Sequence, residues 1–174
     1  MDLELRTALP EEAYKIALLI RGAMLSYGKD SHIPYGMLES LTESVESVAD
    51  RISRGHCLCF WDGPEPVATV TLTEVANPMK YSFSEKTMNS LSDIAPAGYI
   101  SRFAVRSDLR DSGLGVKLLD EAEALARSLG IKGLILHSSS DNRSLSAFYS
   151  NRGFVLTDSE KSRGYNRGLF IKKI

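Results

Sequence analysis

The sequence has only two cysteines, no long apolar run and no excess of charge of one sign. No apolar run approaches the roughly 20 residues needed to span a bilayer, so we expect no membrane partner. The 21 basic and 22 acidic residues give a net charge of −1, whereas a general nucleic-acid binder usually carries a basic excess. The segment Met1-Asp2-Leu3-Glu4-Leu5 is acidic and alternates in polarity, unlike a signal peptide.

The two cysteines, Cys57 and Cys59, stand in the run Cys-Leu-Cys-Phe-Trp. At strand spacing both side chains point to one face, and His56 points to the other. A metal site needs further ligands at suitable spacing, and the sequence has no second cluster of Cys or His. We interpret the pair as reduced thiols in a strand, which predicts no metal site and a cytoplasmic protein.

The rest of the composition is typical of a globular domain. The chain has 174 residues, 43% hydrophobic and 25% charged, enough to bury one hydrophobic core. Residues 76–97 break the hydrophobic pattern with Asn77-Pro78, Pro96 and several serines, and loops of this length are often functional. We predict a single domain over 1–174, with an excursion at about 76–97 that has room for a short helix.

Hydrophobic spacing predicts a mixed sheet with helices between its strands. Strands are expected at 3–5, 57–61, 66–75, 99–105, 133–137, 154–156 and 169–171, and helices at 10–23, 35–52, 114–129 and 142–151. One stripe of the third helix is expected to carry Leu118, Ala122, Leu125 and Leu129. Because that helix connects strands 99–105 and 133–137, we expect these two strands to be parallel neighbours.

The segment Arg110-Asp111-Ser112-Gly113-Leu114-Gly115 follows a predicted strand and opens a long helix. Its glycines allow a tight turn and a close ligand, and the helix N-terminus suits a phosphate or pyrophosphate. A dinucleotide fingerprint fails at Leu118, and a Walker loop fails at Val116 and Lys117. The pattern Arg/Gln-x-x-Gly-x-Gly/Ala matches at every defined position. A glycine-rich turn without a ligand is the alternative.

A second pattern begins at Asn142 and continues through Leu145, Phe148-Tyr149 and Gly153-Phe154. By itself it describes the apolar side of a short helix that ends at a glycine. Together with the glycine loop, at this separation and order, it resembles the GNAT-type N-acetyltransferases, which use acetyl-coenzyme A. The resemblance is sharpest from Ile100 to Phe154.

The resemblance implies an α/β fold with a mostly antiparallel sheet of about seven strands. Helices would cover both faces, and a central parallel pair of strands would splay apart. The strand Ile100–Val105 looks like the fourth strand of the family. The excursion at 76–97 is longer than the usual connection before that strand.

The resemblance also implies how acetyl-coenzyme A would be held. Backbone groups of Phe103, Ala104 and Val105 would bond the pantetheine amides like an added strand. The pyrophosphate would lie on the N–H groups of Asp111, Ser112, Gly113, Leu114, Gly115 and Val116. Arg110 would add charge-assisted bonds, and Asn142 would reach the cofactor from the next helix. Tyr149 matches the cofactor-contacting tyrosine of the family.

The implied reaction is direct attack of a neutral amine on the thioester in a ternary complex. A backbone N–H near Val105 would polarise the carbonyl, and Tyr149 would protonate the leaving sulfur. A packed aromatic side chain is the alternative for Tyr149. The sequence does not decide which residue is the general base, and the candidates are Glu74, His137 and Ser101. Alternatively, the amine arrives partly deprotonated.

The resemblance implies that the acceptor is a small-molecule or peptide amine, bound on a side formed by 19–33, 35–41 and 76–97. Four aromatic residues are candidates for its lining, with packing as the alternative for each: Tyr27, Tyr35, Tyr81 and Phe83. Residues 1–100 hold 8 basic and 14 acidic groups, and residues 101–174 hold 13 and 8, which predicts a cationic acceptor. Two other functions are alternatives: a coenzyme A sensor without turnover and an unrelated phosphate-binding α/β protein. Another acyl donor and a homodimer are further alternatives.

Overall fold

A computed structural model describes residues 3–174, so Met1 and Asp2 of the predicted N-terminal segment lie outside the described residues. The chain forms a seven-stranded sheet in the order β1-β2-β3-β4-β5-β7-β6. Its strands are β1 Leu3–Thr7, β2 His56–Asp62, β3 Glu65–Val75, β4 Ala97–Val105, β5 Gly133–Ser139, β6 Val155–Glu160 and β7 Arg167–Lys173. Neighbours are antiparallel except β4 and β5. The predicted mixed sheet is confirmed.

Helices cover both faces of the sheet, as predicted. They are α1 Ala13–Asp30, α2 Glu39–Thr42, α3 Val45–Arg54, α4 Met88–Ser92, α5 Leu114–Ser128 and α6 Arg143–Asn151. Helices α1 and α3 pack with Cys57, Cys59 and Trp61 on one face. Helix α5 packs on the other face, against a core that includes Leu72 and Phe170. Within residues 3–174, no helix is long and apolar enough to cross a membrane.

The predicted helix at 35–52 is wrong as one continuous element. A 3-10 turn at Tyr35–Met37 precedes α2, and the chain then becomes extended at Glu43 before α3 begins. The Ser44 hydroxyl oxygen accepts a hydrogen bond from the Ser47 N–H at 3.2 Å and caps the new helix. The side chain of Glu43 bonds residues of other elements, which a straight helix would not allow it to reach.

The predicted stripe of α5 is also partly wrong. Leu118 and Ala122 are buried as expected, but Leu125 is half-buried and Leu129, just beyond the helix, is 37% exposed. The buried face is completed instead by Leu114, Leu119 and Ala126. The buried face of α5 is therefore rotated slightly from the face that the leucine spacing predicts.

The parallel pair β4–β5 separates after a short paired stretch. Register pairs join Ala97 to Gly133, Gly98 to Leu134 and Tyr99 to Ile135, and then end. From residue 100 to 105, the edge of β4 that faces β5 has no partner strand in the described part of the chain. This confirms the predicted splay and leaves backbone groups of β4 available to a ligand.

A β-bulge interrupts β4 beside the splay. Thr71 of β3 faces Ser101, but Thr69 faces Ala104, so Arg102 and Phe103 lie opposite a single residue of β3. Arg102 has a left-handed backbone with φ of 51°. A bulge changes the direction of the side chains that follow it, and Ala104 consequently packs with the α1 and α3 cluster.

The excursion at 76–97 is ordered around two 3-10 turns and α4. Leu91 and Ile94 pack with Ala97 and Ile135 in a separate apolar cluster. The expected short helix is therefore present, and it anchors the connection between β3 and β4 against the sheet.

Candidate active site

A cleft of about 940 Å³ opens where β4 and β5 separate. It is lined by the glycine loop and α6, and by α1, residues 32–40 and the β6–β7 turn. Phe103 and Val105 line it from the face that carries α5. Tyr99 and His137 line it from the opposite face. The cleft therefore passes through the plane of the sheet.

The glycine loop bends through two left-handed residues before α5. Asp111 has φ of 60° and Gly113 has φ of 83°, and α5 begins directly afterwards. Successive N–H groups in such a turn form a concave site for an anion, and the helix N-terminus adds a positive partial charge. The loop therefore has the backbone shape that pyrophosphate binding requires.

The side chains of the loop divide into two groups. The cleft is lined by Arg110, Asp111, Gly113, Gly115 and Val116, as predicted. Ser112 and Leu114 do not line it. The Ser112 hydroxyl donates to the Leu109 carbonyl oxygen at 2.6 Å, and the Leu114 side chain is buried in the core. Any ligand contact from these two residues therefore comes from the backbone.

Gly115 lets α5 come close to β4. A Cβ at this position would lie 3.3 Å from Cζ of Phe103 and 3.5 Å from Cγ2 of Val105. The sequence suggested that this glycine admits a ligand. Gly115 lines the cleft, and a larger residue here would contact the side chains of the splayed strand.

Arg110 crosses the mouth of the cleft. Its Nη2 bonds the hydroxyl oxygen of Ser26 on α1. Arg143, at the first turn of α6, also lines the cleft. Positive charge is therefore available near the glycine loop, as a polyphosphate ligand requires.

Tyr149 lies in an aromatic cluster at the inner wall of the cleft. Its ring is within 5.4–6.4 Å, centre to centre, of Phe103, Phe148, Phe154 and Phe170. The residue is only 5% exposed, yet its hydroxyl makes no hydrogen bond within residues 3–174 and is not closed off from the cleft. Burial raises the pKa of Tyr149, and nearby Tyr27 and Tyr99 add to this. The phenol is protonated at neutral pH.

Asn142 lies at the start of α6 and has structural partners. Its Oδ1 accepts from the Leu145 N–H at 3.0 Å, and its Nδ2 donates to the Ser31 hydroxyl oxygen at 3.0 Å. It lines the cleft and keeps one amide hydrogen without these partners. The side chain thus caps α6 and connects it to the end of α1.

The three candidates for the general base are separated by the structure. Glu74 is outside the cleft lining and pairs with Nε2 of His56 at 3.4 Å. His137 lines the cleft, but burial and the charge of Arg167 lower its pKa to about 3. Ser101 lines the cleft and is half-buried. His137 is therefore uncharged and a weak base at neutral pH.

The acceptor side differs from the sequence-based expectation. Of the four aromatic candidates only Tyr27 lines the described cleft, and its hydroxyl oxygen accepts from the Ser139 N–H at 2.7 Å. Tyr81 instead stacks on Tyr99 with ring centres 4.3 Å apart.

Among the described acidic residues of the first hundred, Asp30 and Glu39 line the cleft. Others form pairs elsewhere, as Glu12 does with Arg6 and Glu65 with Lys15. The acidic balance of this half of the chain is therefore only partly carried into the cleft, and a cationic acceptor stays a prediction.

Sequence reasoning missed three arginines of the cleft, Arg102, Arg143 and Arg163. Arg102 stands in the apolar run Ile100–Val105, and a charged residue in a strand expected near the cofactor was the available signal. Arg163 stands in the polar turn between β6 and β7 and gave no signal of its own.

The acetyltransferase (GNAT) family model matches residues 27–154, well over half of the chain. The protein is a member of the GNAT family. A curated relative, GCN5-related N-acetyltransferase 4, chloroplastic, of Arabidopsis thaliana, is 36% identical over 56 residues. That match spans 32% of this chain and 19% of the Arabidopsis protein, so only a small part of the relative is covered.

Solved structures share the fold of this GNAT protein over its whole length. PaiA N-acetyltransferase from Thermoplasma acidophilum, in complex with coenzyme A, has a TM-score of 0.77, 18% identity and full coverage of both chains. A GNAT acetyltransferase from Streptococcus agalactiae has a TM-score of 0.77 and 16% identity, covering 99% of this chain and 95% of the other. Ard1 from Thermoplasma volcanium has a TM-score of 0.70 and 19% identity, covering 100% and 99%. These similarities confirm the expected fold.

Proposed function

We propose that this GNAT protein transfers an acetyl group from acetyl-coenzyme A to a primary amine by direct attack in a ternary complex. The observation that carries the proposal is the cleft that passes through the sheet where β4 and β5 separate. It connects the glycine loop with the residues around Tyr99 and His137 on the opposite face of the sheet. A solved relative with the same fold is described in complex with coenzyme A.

The residues of the cleft fit coenzyme A. The unpaired edge of β4 at Phe103, Ala104 and Val105 offers backbone groups to the two amides of a pantetheine arm. The loop from Asp111 to Val116 offers N–H groups to the pyrophosphate, and Arg110 offers a guanidinium. Bound acetyl-coenzyme A supplies an acetyl thioester as the electrophile.

Tyr149 is the proposed proton donor. Its hydroxyl faces the cleft, lacks an intramolecular partner among the described residues and stays protonated because burial raises its pKa. The thiol of the leaving group has an ordinary pKa of about 8.5, below that of the phenol, so Tyr149 keeps its proton until charge develops on the sulfur and then donates to it. The backbone N–H near Val105 is the proposed donor to the carbonyl oxygen.

The test is thiol release from acetyl-coenzyme A with a panel of amines, combined with direct measurement of coenzyme A binding by calorimetry. Acetyl transfer predicts binding together with amine-dependent thiol release. Binding without release for any amine would favour the sensor. No binding would favour the unrelated phosphate-binding protein and reject the proposal.

A further inference from the structure

A buried cluster of charges lies beside the bulge of β4. Nε of Arg102 donates to Oε2 of Glu43 at 3.0 Å, and Arg51 bonds the other oxygen of the same carboxylate. The Glu43 side chain is only 9% exposed. Two guanidiniums therefore share one carboxylate, and the cluster has an excess of one positive charge.

The Arg102 side chain brings this excess positive charge to the wall of the cleft. Its two terminal nitrogens make no hydrogen bond within residues 3–174, and neither is sealed from solvent, although the side chain is only 27% exposed. Arg102 lines the cleft beside Tyr99 and Ser101. A guanidinium that has lost much of its water and keeps two free donors binds a carboxylate strongly, in a two-pronged geometry.

The position of Arg102 is fixed by its backbone and by Glu43. The left-handed bulge residue projects from β4 toward the linker between α2 and α3, where Glu43 holds its Nε. The donor fork is thus oriented before a ligand arrives, which reduces the entropy lost on binding.

Arg163 adds positive charge from the β6–β7 turn. It lines the same cleft and pairs with Glu39 at 3.2 Å, but the Glu39 side chain is 75% exposed, so the pair is weak. Burial lowers the pKa of Arg102, and the charge of Arg163 adds to this while Glu39 opposes it. Two guanidiniums from distant parts of the chain therefore face the acceptor half of the cleft.

We propose that Arg102 binds a carboxylate of the acceptor, so that the preferred acceptors carry an amine and a carboxylate in one molecule. The two terminal nitrogens of Arg102 that are not bonded to Glu43 provide the paired donors that one carboxylate accepts. This inference rests on the proposed acetyl transfer and specifies its substrate class.

The test compares amino acids with their own carboxamides, which keep the amine and side chain but lose the negative charge. Rates are expressed per unprotonated amine, because the two amines differ in pKa. The free acids are expected to have a kcat/KM about 10–100-fold higher, as expected for a hydrogen bond to a charged group. Equal values in the wild-type protein would overturn the inference.

Arg102→Gln is expected to collapse this ratio toward 1, mainly through a higher KM for the acids, and Arg102→Lys should restore only part of it. Arg54→Gln is the matched control, since Arg54 pairs with Asp50 on α3 outside the cleft lining. It should keep the wild-type ratio. A ratio that persists in a folded Arg102→Gln protein would also overturn the inference.

If carboxamides support thiol release as well as the free acids do, the carboxylate site is rejected and acetyl transfer is retained. Absence of release with every amine, alongside measured coenzyme A binding, would reject both. If the Arg102 variants do not fold, the wild-type comparison still tests the substrate class, and equal values for acids and carboxamides would overturn the inference.

Discussion

Tyr99 donates its hydroxyl hydrogen to Nδ1 of His137 across 2.8 Å. The opposite nitrogen, Nε2, lies 3.3 Å from the carbonyl oxygen of Tyr81 and must carry the ring hydrogen to make that contact. This arrangement fixes one neutral tautomer of His137. It also aligns the Tyr99 hydroxyl at the point where β4 and β5 separate.

The neutral His137 predicts a loss of stability in mild acid. Burial lowers the pKa of His137 to about 3, while the unfolded chain has an ordinary value of about 6.5. Below pH 6.5 the unfolded state binds a proton that the folded state does not, so the free energy of unfolding falls as the pH falls toward 3. Between pH 7 and pH 5 this amounts to about 2 kcal/mol.

Urea denaturation at the two pH values measures this effect. The His137→Asn variant should lose about 2 kcal/mol less than the wild type between pH 7 and pH 5. A His137 ring that titrates in NMR spectra with a midpoint near 6.5 would contradict the prediction.

Replacement of Tyr149 by phenylalanine tests the proton donor. We expect kcat to fall about 10²–10⁴-fold, with coenzyme A affinity and thermal stability nearly unchanged, because the hydroxyl has no hydrogen-bond partner in the described chain. Tyr14→Phe, on an exposed ring of α1, serves as the control. Full turnover in Tyr149→Phe would remove this residue from proton donation.

Gly115→Ala should weaken coenzyme A binding. The added methyl would lie 3.3 Å from Cζ of Phe103 and push that ring into the cleft. We expect the Kd for coenzyme A to rise about tenfold, equivalent to about 1.4 kcal/mol. Calorimetric titration of the two proteins measures it.

Gly22→Ala is the matched control for Gly115→Ala. Gly22 lies in the middle of α1, and a Cβ there meets nothing within 4 Å. The change should raise the free energy of unfolding by about 0.5–1 kcal/mol and leave the Kd unaltered. Equal Kd values in both variants would show that Gly115 does not control the cleft.

Cys57 and Cys59 should be inert in the folded protein. Both are buried free thiols on the α1 face of β2, and burial raises the pKa of each. The thiolate that reacts with a disulfide reagent is therefore scarce. At pH 8 we expect no labelling in the native protein and two labelled thiols after unfolding in urea. Rapid labelling of the native protein would show that β2 opens readily.

The local elements of the fold could be predicted because their signals lie within a few residues. The glycine loop at 110–115 and the helix that begins after Asn142 both depend on hydrogen bonds over a single turn. The apolar run Gly133–His137 likewise identified a strand buried on both faces.

The features that sequence reasoning missed depend on contacts between distant residues. Arg102 and Glu43 are 59 positions apart, and their bond accompanies both the bulge in β4 and the break between α2 and α3. Neither hydrophobic period nor turn chemistry encodes such a pair. The same reason limits what the overall charge of residues 1–100 says about the lining of the cleft.

Only three register pairs join β4 and β5 in the described chain, so a ligand in the gap takes the place of the missing strand pairing. A molecule that occupies the gap completes hydrogen bonding at the centre of the sheet, and it can do so only in the folded chain. By mass action, a ligand at one hundred times its Kd then adds about 2.7 kcal/mol to the free energy of unfolding. Under the proposed function, the folded fraction of the protein rises with the concentration of acetyl-coenzyme A.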